Sequence, residues 1–188
     1  KSNFIILLPG RLTQWKGQKI FIESIKILSK KENIKSFTAI ILGSDQGRTV
    51  YKKQLMSLVE QHRITKFIKF IPYCEEMPIA YKIADVVVSA SIEPETFGRV
   101  SVESQSMCKP IIATNLGGSK ETIVNEKTGI LIESGNSNIL ADTIYKLMMV
   151  DGKTLEIMGL EGRKNVLKKF DVEKMCNSTF TEYKKLIQ

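Results

Sequence analysis

Glu95 and Glu103, with seven residues between them, bracket the turn Thr96-Phe97-Gly98. Two carboxylates so placed admit two chemistries. One is the general acid/base pair of a glycosidase. The other is recognition of a diol, because a carboxylate offers two acceptor oxygens to adjacent hydroxyls, as the acidic residue that reads ribose in dinucleotide sites does. A Gly-containing turn feeding a helix also exposes backbone N–H groups at the positive end of the helix dipole, which suits an anion. The plainer alternative is a locally satisfied Glu95 near a helix start and a half-buried Glu103 that needs a partner.

A second group, Arg11 and Lys16, lies on the loop Gly10-Arg11-Leu12-Thr13-Gln14-Trp15-Lys16-Gly17. An Arg fork grips two phosphate oxygens and a Lys adds a point charge, so together they suit a diphosphate. Equally, they are two solvated surface charges, and spacing alone does not choose. Metal chemistry finds no support. No D-x-D occurs, the lone His62 reads as a solvated helix-end residue, and Glu93-Pro94-Glu95 lacks further ligands. The expectation is no metal and no cofactor. Trp15 and Phe97 read as packing residues, and Gly117-Gly118 as a turn or a close backbone approach.

These residues must be held by the elements around them. Apolar runs at Phe4–Leu8, Thr38–Leu42, Phe67–Ile71, Val86–Ser89, Ile111–Thr114 and Gly129–Ile132 suit strands buried on both faces. Between them Gln18–Ser29, Val50–His62, Met77–Ala84, Arg99–Met107 and Ser119–Val124 read as helices. From about Ser137 the chain is helix after helix, over Ile139–Val150, Thr154–Lys169 and Val172–Ile187. Alternation at this spacing predicts an α/β fold: a Rossmann-like, doubly wound six-stranded parallel sheet with helices on both faces and a helical C-terminal tail. Ligands bind such sheets at the carboxyl ends of the strands, at the switch in strand order. The Arg11–Lys16 loop follows strand one and the Glu95 loop follows strand four, so the usual order sets them side by side.

At 188 residues, 43% hydrophobic and 26% charged, the chain has the composition of an ordinary globular domain. We place its boundary at Phe170-Asp171, with residues 1–170 as the domain and 171–188 as a separate C-terminal helix. The net charge of +8 is carried by scattered lysines that form a solvated surface. They show no aromatic-interleaved stripe for nucleic acid, although they would favour phosphates, an anionic membrane face or an acidic partner. Cys74, Cys108 and Cys176 fit neither a disulfide framework nor a zinc spacing, which makes a reducing, cytoplasmic location the default. No run approaches a membrane span, and the opening FIILLP is too short for a signal peptide. Because a buried strand starts almost at the first residue, the expectation is a fragment with an N-terminal part removed.

Taken together, these residues resemble the retaining glycosyltransferases of family 4 (group 1). That family has the GT-B fold of two Rossmann-like domains, and the match is to the C-terminal, donor-binding one over nearly the whole chain. Gly10-Arg11-Leu12 with Lys16-Gly17 is similar to the family's G-R-L-x-x-x-K-G loop, and Glu95 with Glu103 to its E-x7-E signature. Gly117-Gly118 with Glu121, and Thr128-Gly129, resemble the stretches that follow. The resemblance implies a catalytic group of Glu95, Arg11 and Lys16. Arg11 and Lys16 would hold the donor diphosphate and stabilise it as leaving group. Glu103 would accept the ribose hydroxyls, and Glu95 would contact the transferred sugar. The backbone of Phe97, Gly98, Arg99 and Val100, entered from Thr96, would cradle phosphate and sugar, and Tyr73 and Cys74 would lie against the base. Two departures stand out: Cys108 replaces a frequent Gly at a helix end, and Pro72 a frequent Gly after strand three.

The implied partners are a nucleotide sugar and, through a missing N-terminal domain toward which the last helix would cross, an acceptor glycan or lipid. The implied setting is bacterial lipopolysaccharide or surface-glycan synthesis, at or near the inner face of the cell membrane. No nucleic-acid partner is implied. A non-catalytic nucleotide- or carbohydrate-binding module is the alternative that the residues leave open, and the fragment alone is expected not to turn over.

Overall fold

Runs rich in Val, Ile and Leu have β-branched, unpolar side chains on both faces of the pleat. They are stable as strands only where both faces are covered. The computed structural model, which describes residues 3–187, forms such strands at β1 (Phe4–Pro9), β2 (Phe37–Leu42), β3 (Ile68–Ile71), β4 (Val86–Ser89), β5 (Ile111–Thr114) and β6 (Gly129–Ile132). They pair in parallel in the order β3-β2-β1-β4-β5-β6. The order reverses between β1 and β4, so the crevice at their carboxyl ends is the ligand position of this topology.

The helices are α1 (Gln18–Leu28), α2 (Thr49–Gln61), α3 (Met77–Ile83), α4 (Arg99–Ser106), α5 (Ser119–Thr122), α6 (Ser137–Met149), α7 (Gly152–Lys169) and α8 (Val172–Ile187). Two apolar layers follow from the two-residue period of the strands. Ile6, Leu8, Ile41, Val88 and Ile112 pack with Phe21, Ile25, Leu55, Leu140 and Ile144 beneath α1, α2 and α6. Leu7, Ile40, Val87, Ile111 and Ala113 pack with Ala80, Tyr81 and Ile123 on the opposite face. Each large apolar side chain buried in this way contributes about 1.5–3 kcal/mol.

Element boundaries follow the sequence reading to within about two residues at most ends. A short 3-10 turn at Gln14–Lys16 is an addition, and it ends at Gly17 with φ of 72°. α7 docks on α4 through small residues, because a Cβ at Gly159 would fall 2.0 Å from the Cys108 carbonyl oxygen. Asn165 ties α7 to both α4 and α5, donating from Nδ2 to Gln105 Oε1 at 3.3 Å and to the Thr122 carbonyl at 3.0 Å. Cys108 has φ of 56°, so it occupies the left-handed helix end that glycine favours. Beyond Phe170 the chain turns, Asp171 accepts from the Lys174 amide at 2.8 Å, and no residue of α8 is buried.

Candidate functional site

The first loop is built around a glycine that has no substitute. Gly17 lets β1's loop pass within reach of β4's, since a Cβ there would stand 1.8 Å from the Ala90 carbonyl oxygen. The amide of Ile92 donates to the Trp15 carbonyl at 2.8 Å and joins the two loops. Gly43 lets the loop after β2 approach in the same way, its would-be Cβ lying 2.0 Å from the Gly10 carbonyl oxygen. From the helical side, Gln18 is fully buried at the start of α1. It donates from Nε2 to the Arg11 carbonyl at 2.8 Å and accepts from the Tyr51 hydroxyl at 3.3 Å.

The second loop is pinned by Gly117 and Gly118. The Gly118 amide donates to the Glu95 carbonyl at 2.8 Å, and a Cβ at Gly118 would be 2.5 Å from the Phe97 carbonyl oxygen. The pair therefore supports a close backbone approach rather than a simple turn. Gly98, with φ of 75°, then leads into α4 without a side-chain cap. The amide of Ser101 donates to the Gly98 carbonyl at 2.9 Å. Arg99 and Val100 precede it at the cavity wall.

These loops border an open cavity of about 780 Å³. Arg11, Trp15 and Lys16 line it from the β1 loop, and Gly43, Ser44 and Gln46 from the β2 loop. Tyr73, Cys74, Met77 and Tyr81 line it from the β3 side, and Glu95, Thr96, Phe97, Gly98, Arg99, Val100 and Glu103 from the β4 loop and α4. All residues singled out from the sequence as candidates thus border one space of nucleotide size.

Its charges are paired across the switch point. Lys16 Nζ lies 2.7 Å from Glu95 Oε2, the two side chains being only 13% and 11% exposed. Lys16 also sits 4.4 Å over the Trp15 ring. Glu95 Oε1 accepts from the Ser91 hydroxyl, and Ser91 is itself held by Thr114, whose hydroxyl donates to the Ser91 carbonyl at 2.8 Å. Glu103 Oε1 pairs with Arg99 Nη2 at 2.8 Å, while Glu103 Oε2 accepts from the Tyr81 hydroxyl at 2.7 Å. Burial first, then the hydrogen bond to Glu103, pushes the Tyr81 phenol far above its ordinary range. Arg11 is exposed at the rim.

Lys16, for which a diphosphate-binding and a solvated reading stood level, is not a solvated charge, being nearly buried against Glu95. Phe97 is both packed and open: it meets the Phe170 ring edge-on at 5.7 Å and still lines the cavity. His62 is not solvated either, because its Nε2 lies 2.5 Å from Glu23 Oε1 with the His side chain 15% exposed. Sequence reasoning missed Tyr81, Ser91 and Gln18. Only Gln18 left a signal, as a polar residue on the apolar face it shares with Phe21, Ile22 and Ile25. Among the described residues no three His, Cys, Asp or Glu side chains gather as a metal site, and no helix is long and apolar enough to cross a membrane.

Fold and site together define a Rossmann-like domain with a cationic loop and two carboxylates at the switch point. The model of the glycosyl transferases group 1 family matches residues 1–165. The chain belongs to that family. It is 31% identical over 96% of its length to the capsular polysaccharide biosynthesis glycosyltransferase CapM of Staphylococcus aureus, and covers 48% of that protein. It superposes on a glycosyltransferase of Rickettsia africae with a TM-score of 0.92 at 29% identity, covering 100% of this chain and 49% of that one. The Anabaena protein Alr3699/HepE, solved in complex with UDP and glucose, matches with a TM-score of 0.87 at 28% identity, over 98% of this chain and 48% of its own. The chain therefore spans about half the length of these relatives.

Proposed function

We propose that this chain is the donor-binding, C-terminal half of a glycosyltransferase that moves a sugar from a nucleotide diphosphate sugar to an acceptor with retention. One observation carries the reading: Arg11 and Lys16 on one loop, and Glu95 and Glu103 around the next, border a single cavity at the switch point. Arg11 and Lys16 neutralise the diphosphate and stabilise the departing charge, which is the work a metal does elsewhere. Glu103 accepts the ribose hydroxyls and Glu95 those of the transferred sugar. The start of α4, at Gly98 to Val100, faces the phosphates with its amides. Tyr73 and Cys74 border the base.

HepE's complex with UDP and glucose supports a nucleotide sugar as the ligand class. The CapM likeness and the net charge of +8 support an acceptor in bacterial surface-glycan or lipopolysaccharide synthesis, made at the cytoplasmic face of the membrane. The acceptor site lies in the half of the protein outside this chain, toward which α8 presents its uncovered apolar side chains. Domain and tail divide at Phe170-Asp171. The chain alone binds donor without turning it over.

Calorimetric titration of the chain with uridine, guanosine, adenosine and cytidine diphosphates tests the reading. It expects one of them to bind in the micromolar to millimolar range and Arg11→Ala to weaken that binding. No binding by any of the four would overturn it. In the full-length protein, sugar transfer that persists in chelator and yields product with the donor's anomeric configuration is the expected result. Inverted product would overturn retention.

A further inference from the structure

Glu103 has a protein partner on each of its carboxylate oxygens, and the two partners differ in kind. Arg99 stands one turn earlier on the same helix, and its side chain is 84% exposed. An exposed pair of this sort exchanges readily with other partners. Tyr81 comes from α3, 22 positions away in sequence, and the residue is 2% exposed. It belongs to the buried apolar cluster that holds Leu7, Ala80, Ala84 and Val87, which leaves its ring little rotational freedom. Tyr81 also lines the cavity.

A buried hydroxyl is costly without a partner, and a phenylalanine would fill the same apolar space at no such cost. The hydroxyl is therefore informative. It reaches Glu103 Oε2 at 2.7 Å. A phenol is protonated throughout the physiological range, so the hydroxyl is the donor. One oxygen of Glu103 is thus tied to the core, while the other carries a solvent-exposed arginine that a ligand hydroxyl can displace.

We propose that Tyr81 is a positioning residue that clamps Glu103 in the orientation that receives a ribose diol, so that the cavity prefers ribonucleotides to their deoxy counterparts. The inference rests on the nucleoside diphosphate reading of the cavity. A clamped carboxylate meets two adjacent hydroxyls without first losing rotamer freedom, whereas a free one loses it on binding.

The test uses the nucleoside diphosphate that binds best and its 2′,3′-dideoxy form. Both are titrated into wild type, Tyr81→Phe, Glu103→Gln and the double variant. Tyr81→Phe is expected to weaken ribonucleotide binding by about 5- to 20-fold, to leave dideoxynucleotide binding within about twofold, and to add nothing on the Glu103→Gln background. The dideoxynucleotide also reports that the variant is folded. Equal weakening of both ligands would overturn the proposal by reducing Tyr81 to a packing residue, and so would unchanged discrimination. Absence of any nucleoside diphosphate binding to wild type would remove the underlying reading and this inference with it.

Discussion

Lys16 Nζ and Glu95 Oε2 stand 2.7 Å apart across the gap between the β1 and β4 loops. The contact ties together the two sides of the switch point, and water screens it little because both side chains are nearly buried. It also sets a competition. A diphosphate that uses Lys16 must share it with Glu95, whereas Arg11 at the rim has no such counter-charge among the described residues.

Glu95→Gln removes that competitor while keeping the shape. Affinity for a nucleoside diphosphate is expected to rise by about three- to tenfold, or roughly 0.7–1.4 kcal/mol. The advantage of the nucleotide sugar over the bare diphosphate should shrink, because the carboxylate proposed to receive the sugar hydroxyls is gone. Calorimetry with both ligands reads the two effects. Weaker diphosphate binding would refute the competition.

Arg11→Ala and Lys16→Ala should differ in size for the same reason. Loss of a charge-assisted bond costs about 1.5–3 kcal/mol, so Arg11→Ala should weaken diphosphate binding by about 10- to 150-fold. Lys16→Ala should cost less, since wild type already gives up part of the Glu95 pair on binding. Equal affinities of wild type and both variants would remove the diphosphate role.

Gly17→Ala and Gly47→Ala separate collision from backbone strain. Both glycines have positive φ, 72° and 81°, but only at Gly17 does a Cβ meet backbone, 1.8 Å from the Ala90 oxygen, while Gly47 has open space. Gly47→Ala should cost about 1 kcal/mol, the left-handed penalty. Gly17→Ala should cost at least about 2–3 kcal/mol, lower Tm by on the order of 5–10 °C, and abolish nucleotide binding by parting the loops. Thermal melts followed with and without nucleotide give both readouts.

Glu23 links α1 to α2 through His62. Burial works to raise its pKa, but the hydrogen bond and charge of His62, with help from Lys26, bring it below its ordinary 4.5. A carboxyl whose folded pKa is depressed contributes stability above its unfolded value and loses it as pH falls through the folded one. Wild type should therefore melt above Glu23→Gln at pH 5–6, and the gap should close as pH falls below the ordinary 4.5 and through the depressed folded value. A gap that is unchanged down to pH 3 would exclude the charge as its source.

Strand and helix order was legible because each buried strand here is a short apolar run and the longer helices, such as α1 and α6, repeat their apolar residues at helical spacing. Those periods are local properties of the chain. The boundaries of β4 and β5 matched at both ends for that reason. The candidate site was legible where chemistry and turn residues coincide, at Gly10-Arg11, Lys16-Gly17 and Glu95 to Gly98. It was not legible at Tyr81 and Ser91, because an aromatic on an apolar helix and a serine after a strand look like core and loop until their partners are known. His62 misled for a related reason. Its partner Glu23 lies 39 positions away, and nothing near His62 announces it.

By itself, the amino-acid sequence determined a parallel doubly wound sheet, the loops that carry Arg11, Lys16, Glu95 and Glu103, and the glycines that let those loops close. Periodicity, charge and backbone freedom are written residue by residue. The tertiary structure alone decided which of those charges face one another. Lys16 is matched with Glu95, and Glu103 is divided between an exposed Arg99 and a buried Tyr81. Such pairings depend on distances between loops far apart in the chain, which only the packing of α3, α4 and the switch-point strands sets.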